Sequence, residues 1–225
     1  MDCYRRIITA FKYPLIIMLL LAVPCYCFAA PSLEEIKAKF KNADWEVRLA
    51  VIEKLNGFRD EETVDFLMVV AGDRKEHWAV QSRAIQFMGE IRNPKTVDLL
   101  LTIFTSRSRA YECPAIKSYT AIALGNFSGH SNVIDPLITA IHGDEPLVRE
   151  ASVQSLGKIG TVKAIPHLIP LLQSPSLAIR LSTIKALESI GDPQAIPHLE
   201  ALADKDSDRV ARETSKIAVR KLRGH

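Results

Sequence analysis

The sequence predicts an all-α chain, a right-handed α-solenoid of about six stacked helix pairs. Three observations carry that expectation. An apolar pattern returns every 31–36 residues. Each period splits into two stretches of helical periodicity, and Gly, Pro and acidic residues fall between the stretches, where helices start and stop.

Val47, Val80, Ile116, Val148 and Ile179 set the register. Eight residues on from each lie Leu55, Met88, Leu124, Leu156 and Leu187; eleven residues on lie Phe58, Ile91, Phe127, Ile159 and Ile190. Agreement of five registers at three apolar positions marks an array whose units cannot bury their apolar faces alone and must stack.

The first element in chain order is of another kind. Arg5, Arg6 and Lys12 form a basic head, an uncharged run over 13–30 is centred on Leu15–Leu21, and Cys27-Phe28-Ala29 places small residues three apart at its end. This is the pattern of a secretory signal peptide over residues 1–29, with cleavage after Ala29 so that Pro31 is not the first mature residue. The alternative is an uncleaved anchor, since about 18 apolar residues at ~1.5 Å each span about 27 Å, enough for a thin hydrocarbon core. Residues 30–225 form the repeat domain. It is expected in the periplasm after cleavage, or held outside the cytoplasm by the inner membrane if the segment is retained.

Charge and cysteine usage narrow the function classes. Three of the 29 basic side chains and one of the 26 acidic ones lie in the first segment, which leaves residues 30–225 with 26 against 25, or +1. Nucleic-acid binders carry a basic excess, so nucleic acid is not an expected partner. Of the four cysteines only Cys113 lies beyond the segment. It has no internal disulfide partner, and the fold must stand on packing.

Within the repeat domain a partial first helix, Leu33–Lys41, opens the stack. Second helices are expected near Trp45–Asn56, Glu76–Ile91, Pro114–Phe127, Pro146–Ile159, Pro175–Ile190 and Asp208–Leu222, and first helices near Thr63–Ala71, Thr96–Phe104, Asn132–His142, Val162–Leu172 and Pro193–Ala203. The clearest unit is Thr161–Gly191. Ile165, Leu168, Ile169, Leu171 and Leu172 line its first helix, Ser174-Pro175 make the turn, and Ile179, Thr183, Ile184, Leu187 and Ile190 line its second before Gly191 ends it. Ala50, Ala151 and Ser182 are expected to let neighbouring helices approach, and Gly89, Gly125 and Gly157 to serve as caps or close contacts. In the last unit Glu213 and Lys221 replace small or apolar residues, as a terminal unit facing water requires.

The pattern A-I-P-x-L-I-x-L-L, an acidic turn, then V-R-x-x-A-x-x-x-L-G-x-I-G is clearest in Ala164–Gly191 and Ile134–Gly160. It resembles the short HEAT-type repeat of phycobilisome-lyase-like proteins, over about Leu33 to Leu222. The resemblance implies the fold and raises two enzyme types. A bilin lyase works in the cytosol, which an export signal argues against. A deoxyhypusine-hydroxylase-like di-iron enzyme needs His-Glu pairs, yet the six histidines precede Trp78, Ser131, Gly143, Leu168 and Leu199 or end the chain at His225. No catalytic residue, cofactor or metal is therefore expected.

His167 and His198 share the repeat position Ala-Ile-Pro-His-Leu, but equivalent residues on neighbouring helices lie about 8–10 Å apart, too far to share a metal. With Phe66, Leu99 and Pro136 at the equivalent places, a packing or half-exposed role is preferred. Cys113, although near Arg107 and Arg109, reads as a structural thiol beside Pro114.

What remains is a binding surface. The resemblance puts second helices on the concave side, where positions two and six after each register residue form a stripe: Leu49/Glu53, Ser82/Gln86, Ser118/Ile122, Glu150/Gln154 and Leu181/Lys185. Trp45 and Trp78 are repeat-equivalent, and the 105–113 insertion offers Arg107, Arg109 and Tyr111. Arg48, Lys117, Arg149 and Arg180 are expected to pair with turn carboxylates such as Asp44 and Asp144. The expected function is an exported, non-enzymatic protein–protein interaction scaffold with protein partners in the cell envelope. Glu53, Gln86, Gln154, Lys185, the two tryptophans and the insertion residues are the candidate contacts.

Overall fold

The computed structural model describes residues 32–107, 111, 113–143 and 145–224. The segment 1–29 read above as a signal peptide, Arg109 and Asp144 lie outside the described residues. Among the described residues no strand occurs, and α-helices alternate as first and second members of six pairs: α1 Leu33–Phe40, α2 Trp45–Glu53, α3 Glu61–Gly72, α4 Trp78–Ile91, α5 Val97–Thr105, α6 Pro114–Leu124, α7 Ile134–Ala140, α8 Pro146–Ile159, α9 Ile165–Leu168, α10 Leu177–Ile190, α11 Ile196–Lys205 and α12 Arg209–Arg223. The architecture is the predicted α-solenoid.

Local chemistry sets the ends. Asp60 begins α3 by accepting the Thr63 N–H at 2.8 Å, Ser176 begins α10, Asp208 begins α12, and Pro occupies the first turn of α6 and α8. Gly160 and Gly191 end α8 and α10 in the left-handed region, at φ 74° and 79°. Arg92 takes the same place after α4 at φ 57°, a strained choice for a residue with a Cβ. Several first helices enter through a 3₁₀ turn, as at Pro94–Thr96 and Pro193–Ala195. In the fifth unit the α-helix stops after Leu168. Pro170 has no N–H to give the Pro166 carbonyl, and the chain continues as a 3₁₀ segment, Ile169–Gln173.

The core lies between the two layers. Val80, Ile116, Val148 and Ile179 are buried there with Leu55, Met88, Leu124, Leu156 and Leu187. Val47 departs from its register and is exposed, as is Val210 in the last unit. Terminal units have a neighbour on one side only.

Successive second helices pack along their lengths, whereas successive first helices touch at few places. A stack whose two layers differ in this way curves with the second helices inside. The reason is at three glycines. A Cβ on Gly89 would lie 2.8 Å from Ala123 Cα, one on Gly125 2.7 Å from the Ser155 hydroxyl, and one on Gly157 2.6 Å from Ala186 Cα. Gly89 and Gly157 lie within their helices as close contacts, Gly125 both caps α6 and makes such a contact, and the partners of all three sit seven residues past the register residue. That corrects part of the expectation for small residues: Ala151 and Ser182 are buried, but Ala50 is exposed.

The register arginines are also placed differently. Arg48 pairs with Glu76 at 3.0 Å, and Arg180 with Asp206 at 2.8 and 3.1 Å, so each reaches the turn of the following unit rather than its own. Arg149, Arg180 and Arg212 additionally donate to the carbonyl six residues back, those of Gly143, Ser174 and Asp206. Asp44 instead stands exposed before α2.

The Asp206 carboxylate is 4% exposed. Burial pushes its pKa up, but the Asp208 N–H and the Arg180 and Arg212 charges outweigh burial and hold it below the ordinary value of 3.8. A lowered folded pKa contributes stability that is present above the ordinary value and lost as pH falls through the lower one.

Two predictions follow from these contacts. Gly157→Ala gains about 1 kcal/mol of helix propensity, yet meets a backbone that no rotamer change can move, and overpacking costs about 1–3 kcal/mol. The net result is a lower urea midpoint, while Gly129→Ala, with open space around its Cβ position, leaves the midpoint near wild type. Asp206→Asn removes one side of a buried pair and costs about 3 kcal/mol at neutral pH, the low end for such a break, because the Arg180 guanidinium keeps the Ser174 carbonyl. Below pH 4 the stability of the variant falls less steeply with acid than that of the wild-type chain, which equilibrium unfolding at a series of pH values reads directly.

Candidate functional site

A helix whose register residue points into the core turns the positions two and six residues on away from the opposite layer, toward the neighbouring second helix or the solvent. The stripe behaves accordingly. Its second column, six residues past the register, is open or half-open throughout: Glu53, Gln86, Ile122, Gln154 and Lys185. Its first column is half-open at Leu49, Ser118, Glu150 and Leu181 and buried at Ser82.

The two halves of the stripe differ in what the polar groups already do. In the N-terminal half Arg83 ties the candidates together. Its guanidinium reaches Glu53 at 2.7 Å and Gln86 at 3.0 Å and lies 4.2 Å from the centre of the Phe87 ring. Glu53 and Gln86 are thus held in an internal network.

In the C-terminal half Glu150, Gln154, Leu181, Ser182 and Lys185 come together around an open groove of about 440 Å³ between α8 and α10. Gly157 and Ala186 contribute to its lining. The Ser182 hydroxyl donates to Glu150 at 3.0 Å and the Gln154 amide reaches the same carboxylate at 3.3 Å, which orients the acidic wall. Lys185 is exposed on the opposite wall. Ile122, 42% exposed, is an apolar spot on the same column between Gln86 and Gln154.

The remaining candidates divide. Trp45 and Trp78 are both exposed, at 37% and 49%, and they flank His77: the Trp45 and His77 rings stack at 4.1 Å, and the His77 and Trp78 centroids are 5.7 Å apart. His77 also begins α4, with Nδ1 accepting the Ala79 N–H at 3.4 Å. Arg107 is exposed and lines a cleft with Lys117, Pro136, Thr139 and Val148. Tyr111 is a correction. Its side chain is 3% exposed, and its hydroxyl donates to the Gly72 carbonyl at 2.9 Å, so it belongs to the core rather than to a binding loop. Cys113 is half-buried immediately before α6.

One juxtaposition was not legible from repeat position. His167 is half-buried and His198 exposed, and the neighbour of His167 is His142, whose Nε2 lies 3.5 Å from His167 Nδ1. The two come from different repeat positions on neighbouring units. Among the described residues no three His, Cys, Asp or Glu side chains converge as a metal cluster, and no helix is long and apolar enough to cross a membrane.

Three comparisons bear on kinship. No curated protein matches the chain in sequence. The complex of CpcE and CpcF of phycocyanin lyase from Nostoc sp. PCC7120 is similar in structure, with a TM-score of 0.56 at 19% identity over 71% of this chain and 99% of that one. An engineered protein gives 0.60 at 16% identity over 85% and 96%. Computationally designed armadillo repeat proteins for modular peptide recognition give 0.54 at 13% identity over 84% and 99%. Likenesses at these identities speak to the fold alone. The sequence itself goes further: residues 33–112, 104–177 and 163–220 each match HEAT repeats, and the chain belongs to the HEAT-repeat family.

Proposed function

We propose that the protein is an exported, non-enzymatic scaffold that holds an extended segment of a protein partner along its second-helix face. The observation that carries this reading is the groove between α8 and α10, where Glu150, Gln154, Leu181 and Lys185 converge on a floor of small residues. An acidic wall, an amide, an aliphatic side chain and an ammonium offer an extended segment both polar and apolar contacts.

The column extends the groove. Helix neighbours stand about 8–10 Å apart, and an extended chain rises about 3.3 Å per residue, so the span from Glu53 to Lys185 suits about 10–12 residues of partner. Designed armadillo repeat proteins of similar fold are described as recognising peptides; a peptide mode is the reading this surface supports here. The cell envelope as the place of action rests on the basic head, apolar run and small-residue end of residues 1–29.

Two experiments test the proposal. A photo-reactive residue placed at Gln154 or Lys185 is expected to give a discrete protein adduct in envelope preparations. Adducts only from Val69, exposed on the first-helix layer, would refute the choice of face. Terminal sequencing of the protein from the same fraction is expected to begin at Ala30, and a retained Met1 would exclude cleavage.

A further inference from the structure

We propose that His142 and His167 form a chelating site for a borderline divalent cation, Zn²⁺ or Cu²⁺, that bridges the first-helix segments of the fourth and fifth units. His142 follows α7 and is exposed; His167 lies in α9 and is half-buried. The two rings are 5.7 Å apart between centroids and inclined at 68°, with His142 Nε2 and His167 Nδ1 at 3.5 Å. Two metal–nitrogen bonds of about 2.0–2.1 Å at a tetrahedral angle set their nitrogens about 3.3–3.4 Å apart. The two nitrogens therefore already stand close to the bite of a cation, and with a ring proton between them the same contact is a long hydrogen bond.

Ligand chemistry selects the class of ion. Imidazole nitrogen suits Zn²⁺ and Cu²⁺, whereas Mg²⁺ takes oxygen and dehydrates reluctantly. Two protein ligands leave the remaining positions to water, which the exposure of His142 permits. Coordination through His142 Nε2 and His167 Nδ1 keeps the proton on the other nitrogen of each ring. The charged groups on the same two segments, Asp135 and Lys163, are paired with each other at 2.5 Å, and Arg149 is bound to the Gly143 carbonyl.

The repeat supplies its own control. His198 stands one unit beyond His167 at the same repeat position, and the residue one unit beyond His142 is Gln173. Both are exposed, but the second pair lacks the second imidazole. An ion at the first pair links units four and five on the layer opposite the groove, and so fixes the spacing of the seam that carries it.

The test is isothermal titration of the purified full chain with Zn²⁺, alongside its thermal unfolding. The wild-type chain is expected to bind one Zn²⁺ more than either His142→Ala or His167→Ala, and His198→Ala is expected to bind as many as wild type. Zn²⁺ raises the melting temperature of the wild-type chain and His198→Ala but not of the other two, and Mg²⁺ raises none. Equal Zn²⁺ binding by wild type and both single variants, equal loss in His198→Ala, or no uptake by the wild-type chain would overturn the site.

Discussion

The whole molecule depends on how closely consecutive second helices approach. At Gly157 and Ala186 the separation leaves no room for one added carbon atom. Such contact is available only where one helix lacks a side chain and the other carries a small one. Repeated at Gly89–Ala123 and Gly125–Ser155, it draws the second-helix layer together while the first-helix layer stays loosely apposed. Curvature follows from that inequality. So does the groove, because the missing side chain that admits a neighbouring backbone also leaves a hollow at the surface above it.

A second set of contacts fixes the turn edge. Arg48 and Arg180 reach forward to Glu76 and Asp206, and Arg149, Arg180 and Arg212 hold their own turns through backbone carbonyls. These are unlike the exposed pairs on the surface, such as Lys216–Glu213, which water and salt screen and which add little to stability. Glu76 and Asp206 are nearly fully buried, so removing either partner strands a charge away from water. Arg48 and Arg180 thus each link a unit to the next, and each constrains the following turn and, with it, the start of the next second helix.

How much of this was written in the sequence depends on the range of the contact. Helix positions were legible to within about three residues, because periodicity and end signals act over single turns. The convergence of Gln154 with Lys185 was legible as well, since both occupy one column and equivalent helices stack in phase. Tyr111 was not. Its sequence neighbours are polar and basic, but its hydroxyl meets the Gly72 carbonyl 39 residues away, a partner that no local pattern announces. The forward reach of Arg48 and Arg180 was missed for the same reason, as it spans a full unit. His142 and His167 come from different repeat positions, so no repeat register announces that their rings meet.

In an array whose units touch only their neighbours, stability is set seam by seam, and the seams here are unequal. The middle ones have backbone contact. At the ends Asn56 and Glu188 stand where the glycines would be, and Glu188 meets Lys221 across the last second-helix seam while Glu53 meets Arg83 across the first. Exposed ion pairs hold less tightly than packed backbones, so fraying begins at the ends and the α8–α10 seam is among the last to open. That distinction weighs between the two exposed candidates. The Trp45–His77–Trp78 cluster sits on the looser first seam, and binding there must order its surroundings. The Glu150–Lys185 groove sits on the Gly157–Ala186 approach, where a surface is already in place. Preorganisation lowers the cost of association, and it is the physical reason to look for the partner there first.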